Sequence, residues 1–404
     1  MTSDPARSDG SAQPGPTTED WDPRDPSVLA DQRRAYDEMR ERCPVASSEF
    51  MGWSLFRWSD VSAVLADPAT FSNASRHPAI PNGMDPPMHA RYRAALEPCF
   101  SESAMRQVEG RCREIAAELV DSMLAADDPE LLRDFAEPLA LRGLCAFLGW
   151  PEGEWEALGG WTHGNQQAAL TRDRSAGRAL AILLTEHVTR NLEGHRAHGP
   201  DEDLTDVLLA LRIDGRALAD EEVAAALRNW IAGEGTVAGG ISVVVLQLAQ
   251  QPELQALLRR EPSRIPGAIE EMLRVDDPLV ANRRTASRPV DLGGRHVEAG
   301  QTVSLMWVAA NRDPEAFADP AIVRLDRDLA NSLVWGQGIH VCMGAALARL
   351  QIRVGLEELL RRTTSFEVGG PVRRSVYPSD ALAEFAIGLV PSTGGSRADG
   401  SEDR

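Results

Sequence analysis

One of the five cysteines stands apart: Trp335-Gly336-Gln337-Gly338-Ile339-His340-Val341-Cys342-Met343-Gly344 is a glycine-rich loop that runs straight into a helical pattern. Loop N–H groups and the positive end of the following helix dipole stabilise negative sulfur. The spacing therefore predicts a thiol of lowered pKa, poised to hold a metal. A second grouping, Asp85-Pro86-Pro87-Met88-His89-Ala90-Arg91-Tyr92-Arg93, opens a helix with prolines and sets His89 and Arg93 one turn apart, a pair able to grip carboxylates. In Ala232-Gly233-Glu234-Gly235-Thr236, glycines thin a helix beside a carboxyl and a hydroxyl. Each glycine costs about 0.5–1 kcal/mol relative to alanine, so the cluster needs a reason such as close approach by a ligand. Glu234 and Thr236 point about 200° apart on a regular helix, which breaks any simple acid–alcohol pair. Glu271-Met272-Leu273-Arg274 places opposite charges at i and i+3, suited to a charge-assisted bond.

These groups need rigid supports. Residues 221–250 are apolar nearly all round, which predicts a helix running through the core. Residues 345–362 form a strong amphipathic pattern with arginines in the last turn, as a helix dipole prefers. The stretch Trp53–Phe71 reads as a hairpin followed by a short helix. Pro289–Val303, with β-prone pieces split by turn glycines, reads as a small sheet. Residues 1–25 and 392–404 are rich in Ser, Pro, Gly and Asp and bury too little apolar surface to offset their ordering. They are expected to be a disordered arm and tail around a single catalytic domain, 26–391.

Of 404 residues, 43% are hydrophobic and 25% charged, enough for a sizeable core. The 42 basic residues, all arginine, face 61 acids for a net charge of −19, which argues against nucleic acid and anionic membranes as partners. Cysteines at 43, 99, 112, 145 and 342 form no C-x-x-C pair, so neither a disulfide framework nor a structural zinc site is indicated. With no apolar run near Met1, a cytoplasmic location is expected.

The loop 335–344 resembles the haem-binding loop of the cytochromes P-450, aromatic-G-x-G-x-H-x-C-x-G, with Trp335 where phenylalanine is usual. Trp53–Ser72, Ala310–Pro314 and Phe317–Pro320 resemble further family segments in the right order. The fold implied is mainly α with small β-sheets, a triangular helical prism holding haem b between the long central helix and the cysteine loop. Cys342 is then the axial thiolate, whose electron density favours O–O cleavage. His89, Arg93, Arg284 and His340 correspond to ligands of the haem propionates, with Arg283 competing for the place of Arg284. Glu271, Arg274 and Arg327 correspond to a structural triad. Ala232, Gly233, Glu234 and Thr236 fall on the oxygen-activation pattern A-G-x-acid-T, in which Gly235 occupies the acid position. By the same resemblance the substrate pocket includes Met84, Asn229, Gly235, Val280, Ala281 and Phe385, with further lining from 76–84, 160–180, the 229–236 helix face, 280–282 and 382–385. The indole of Trp335, if near the sulfur, would add an N–H donor there.

The activity implied is reductive activation of dioxygen and hydroxylation of a small organic, secondary-metabolite substrate. No G-x-G-x-x-G fingerprint is present, so electrons come from outside. A ferredoxin, supplied through a ferredoxin reductase by NAD(P)H, is the expected donor to a monomeric enzyme. It would dock where Arg106, Arg111, Arg113, Arg349 and Arg353 form a basic patch. Gly235 motivates a second reading, oxidative coupling or cyclisation of an aromatic natural product, such as an indole or cyclic dipeptide, without oxygen insertion. A third, of another class, is a non-catalytic haem sensor or ligand carrier.

Overall fold

A helix that is apolar on every face has no side to offer water. Asp220–Ala249 accordingly runs unbroken through the interior, with Val223–Leu227 and Val237–Ala249 buried. The structure, a computed structural model, describes residues 20–75, 79–171, 173–198, 203–377 and 379–392. Around this central helix pack Glu137–Leu148, Trp155–Thr171, Arg174–His198, Ile265–Val275 and Ala345–Arg362. The last of these lies along Glu102–Ala125. Among the described residues the central helix alone is long and apolar enough to cross a membrane. However, 78% of its most apolar stretch is buried within the protein, as befits a core helix.

Strands are few. A five-stranded mixed sheet takes the order Val45–Ser48, Gly52–Leu55, Thr302–Met306, Ala281–Ala286 and Phe71–Ser72. Trp53 pairs with Val303 in its one parallel contact. Gly52, at φ +72°, passes so close to Thr302 that an added Cβ would sit 2.4 Å from the carbonyl oxygen. A long hairpin, Thr363–Arg374 against Leu382–Pro391, reaches back towards the central helix. The expected small sheet at 289–303 is the hairpin Val290–Leu292/Arg295–Val297 leading into Thr302–Met306.

Residues 20–25, expected in the N-terminal arm, are packed on the domain. Trp21 packs edge-on against Phe56 and Tyr36, 5.2 and 6.0 Å between ring centroids. The Asp20 carboxylate accepts from the Ser47 N–H at 2.8 Å and from Arg295 at 3.2 Å. One buried indole and a charged anchor thus order residues 20–25, which composition alone assigned to the arm. Ser392, expected in the tail, still donates its N–H to the Arg362 carbonyl; residues 1–19 and 393–404 lie outside the described residues.

The structure brings Glu271, Arg274 and Arg327 together. Arg274, fully buried, makes two bonds to the Glu271 carboxylate, at 2.7 and 2.9 Å, and donates to the carbonyls of Asn311 and Pro320. Arg327 donates to Glu271 at 2.8 Å and to the carbonyl of Ala318 at 2.6 Å. Burial by itself would raise the Glu271 carboxyl, yet the two guanidinium groups hold it below its ordinary value. This cluster fixes Ile265–Val275 to the irregular segment 311–327 that leads into the cysteine loop. Glu271→Gln leaves two buried cations short of their anion and is expected to cost about 3–5 kcal/mol in a denaturant titration. In the wild type the contribution is present above the unfolded carboxyl's value of 4.5 and disappears as pH falls through the lower folded value. A loss under about 1 kcal/mol in the variant would show the pair to be dispensable.

Candidate functional site

The cysteine loop is shaped by glycine. Gly336 and Gly338 both take φ +73°, and a Cβ on Gly338 would lie 2.7 Å from the Leu65 carbonyl oxygen. The Cys342 N–H donates to the Trp335 carbonyl at 2.8 Å, and Arg93 donates to the carbonyl of Val341 at 2.6 Å. Burial pushes the Cys342 thiol up; the N–H groups of Gly344 and Ala345 and the charges of Arg93 and Arg349 oppose this without overcoming it. The helix-end N–H groups that the sequence suggested are in place beside the sulfur.

Trp335 does not offer its N–H to the sulfur. Its single donor bonds Glu270 at 2.8 Å, and Arg349 both pairs with Glu270 at 2.7 Å and lies 4.6 Å over the indole.

Between the loop and the central helix lies a cavity of about 340 Å³. Ala232, Gly233, Glu234 and Thr236 line one side, and His340, Cys342 and Arg284 line the other. Both ring nitrogens of His340 and Nε2 of His89 are buried without a partner, and the two rings stand 4.3 Å apart. Burial, then the neighbouring His89 and Arg284, holds His340 down to about 4; burial also lowers Arg284. Buried donors left idle beside a cation are costly unless an anionic ligand completes them. The set fits a planar group carrying carboxylates at one edge and a metal over the sulfur. Arg284 faces the cavity, whereas Arg283 turns away to the Tyr377 hydroxyl at 3.0 Å, which separates the two competitors. Arg93 is engaged on the loop backbone and does not line the cavity.

Of the expected pocket residues, Asn229 lines the cavity and donates to the Ile80 carbonyl at 3.0 Å. Val280, Ala281 and Phe385 do not. Val280 and Phe385 are fully buried, and Ala281 packs with Val280 against a separate apolar cluster. Alternation along the strand turns Asn282 to the cavity instead, beside Leu279 from the preceding loop. Met84 packs on the core while Asn82 lines the cavity. Gly235 faces away from the cavity: a Cβ there would meet Gln166 Nε2 at 2.7 Å and Thr162 Cγ2 at 3.1 Å. Residues 76–78 and 172, within the expected lining segments, lie outside the described residues.

Glu234 is buried with Oε2 unpartnered, and burial raises its carboxyl well above the ordinary range, opposed only by Gln351. Sequence reasoning missed Asp277, a cavity-lining acid bonded by Asn311 at 2.9 Å and pushed by burial to about 8. Its position, just past the Glu271–Arg274 helix, reads in sequence as an ordinary helix end.

The expected basic patch is neutralised. Arg106 pairs with Glu102, Arg111 with Glu114 and Glu152, Arg113 with Glu109 and Glu357, Arg349 with Glu270, and Arg353 with Glu109 and Glu357. Acids one turn away on the same helices, or on the helix alongside, cancel the charge that a count of arginines suggests.

A lone cysteine on a glycine loop, facing a glycine-thinned helix across a cavity rimmed by idle carboxylate donors, is the layout of a thiolate-ligated haem protein. The family model described as Cytochrome P450 matches residues 265–373. Cyclomarin C epoxidase CymV of Salinispora arenicola is 32% identical, over 82% of this chain and 89% of its own. The 6-deoxyerythronolide B hydroxylase of Saccharopolyspora erythraea is 30% identical, over 85% and 91%. A mutant of P450 EryK in complex with erythromycin B superposes with a TM-score of 0.81 at 28% identity, covering 91% of this chain and 98% of that one. This chain belongs to the cytochrome P450 superfamily: it is a haem-containing monooxygenase that takes a small substrate, dioxygen and electrons from redox partners.

Because the indole N–H is spent on Glu270, Trp335→Phe is expected to cost about 1–2 kcal/mol of unfolding free energy. Glu270→Gln in the same background should add less than it costs alone. Denaturant titration of both single variants and the double variant measures this coupling, and strictly additive losses would contradict the bond.

Proposed function

We propose that Cys342 supplies the axial thiolate to haem b, with His89, His340, Arg284 and Arg93 holding the propionates. The observation that carries this reading is the meeting, at one cavity, of the loop cysteine with buried imidazole nitrogens that lack any protein partner. For Arg93 the role requires its guanidinium to bridge the Val341 carbonyl and a propionate. When bound, the haem supplies dioxygen activation; the chain supplies position, exclusion of water and protons.

Gly233 leaves the helix wall open, since a Cβ built there meets nothing within 4 Å. Thr236 brings a hydroxyl to that wall, able to order a proton-bearing water, and Glu234 is the acid behind it. Asn229, Asn82 and Asp277 set a few polar groups among Phe100, Trp230, Leu279 and Val334, a lining that suits a medium-sized, partly polar metabolite. That similar chains are named as a cyclomarin C epoxidase and a 6-deoxyerythronolide B hydroxylase supports oxygen insertion into a secondary metabolite, which we read here as hydroxylation. Electrons come from a ferredoxin reduced by its reductase at the expense of NAD(P)H, and the chain acts as a monomer.

A ligand screen that follows the haem Soret band identifies compounds entering the cavity, and the mass of the product then decides the reaction. A gain of one oxygen supports hydroxylation, whereas a joined or cyclised product without added oxygen overturns it. Thr236→Ala is expected to divert reductant to hydrogen peroxide, lowering product per reductant consumed by about tenfold or more. An unchanged ratio would remove Thr236 from proton delivery.

A further inference from the structure

A second cavity, of about 240 Å³, lies on the other side of the central helix, enclosed by Glu137–Leu148, Trp155–Thr171 and the C-terminal hairpin. Its wall is unusually polar for an interior space, carrying Glu137, Thr162, His163, Gln166, Ser375 and Ser379. At its outer end His163 and Glu137 meet at 2.9 Å, with the His163 side chain 61% exposed to solvent. The bond to Glu137 raises the imidazole's pKa and favours its protonated form. At the inner end stands Gly235, where the missing side chain makes room for the Gln166 amide. Among the described residues Glu234 alone lines both this cavity and the haem cavity. Beside it Gln351 donates to the Ala140 carbonyl at 2.8 Å and leaves its own Oε1 without a partner, as Glu234 leaves Oε2.

We propose that the side cavity is the proton entrance of this enzyme: the Glu137–His163 pair passes protons from solvent to water in the cavity, and Glu234 carries them through the helix wall to the haem side. This rests on the reading of Glu234 as the acid behind Thr236. The buried carboxyl releases its proton towards the haem cavity and regains one from the side cavity, so nothing is consumed but the proton delivered. Such a route replaces the acid that the helix lacks at 235. It also explains the glycine there, because a side chain would displace Gln166 and close the inner end. A space of this size with hydroxyl, amide and carboxylate partners meets the requirements for ordered water.

The test uses ferric holoenzyme. Infrared spectra should show a protonated-carboxyl C=O band that is lost in Glu234→Gln, and in D2O that band should shift within the mixing time. In the paired variant Glu137→Gln/His163→Leu, made at the solvent-facing end, the shift should slow about tenfold or more, and peroxide per reductant should rise. Exchange as fast in the paired variant as in wild type overturns the entrance while leaving Glu234 in place. If Glu234→Gln removes no band, the neutral carboxyl itself is disproved and the route falls with it.

Discussion

Charge in a low-dielectric interior has to be paired, neutralised or completed by a ligand, and each solution governs one part of this molecule. Glu271 is paired, with Arg274 and Arg327 holding it ionised and tying the helix before the cysteine loop to the segment that delivers it. Glu234, beside which no cation offsets burial, has its carboxyl pushed well above the ordinary carboxylate range. His340, between His89 and Arg284, gives up its charge and leaves two nitrogens idle. The first outcome builds scaffold, and the other two lie at the cavity between the loop and the central helix. The same carboxylate chemistry yields different behaviour at 234 and 271 because only one of them has guanidinium partners.

The glycines of the central helix divide their work in the same physical way. Gly233 borders the haem cavity and Gly235 yields to Gln166. Gly239 lets Ala381 and Pro278 approach, and Gly240 meets Ile352 and Leu273. Successive helix positions rotate by about 100°, so a cluster that is one motif in sequence faces several different neighbours in space. Gly240 borders the haem cavity as well, while Gly239 allows the helix to sit deep in the core.

On the opposite side of the loop, the arginines of Glu102–Ala125 and Ala345–Arg362 are interlaced with glutamates. This gives a surface of paired charges on a strongly acidic protein. Such a face presents no net positive field to an approaching protein. Trp335 belongs to this side as well, because its indole links the loop to Glu270 and Arg349.

Local pattern was enough for the elements and for the motifs. The apolar run of the central helix, the glycine turns around Cys342, the i, i+3 pair of Glu271 and Arg274 and the turn spacing of His89 and Arg93 are all properties of neighbouring residues, set by helix period and backbone sterics. Tertiary packing decided what lies across from them. It turned Phe385 and Val280 into the core and Asn282 into the cavity, spent Trp335 on Glu270, and anchored residues 20–25 through Trp21. It also put Gln166 in the space beside Gly235. Burial and cross-chain contact are sums over groups distant in sequence, so no window of residues contains them. The cysteine was legible from its own loop, while the environment that sets its chemistry, and that of Glu234, exists only once the chain has folded.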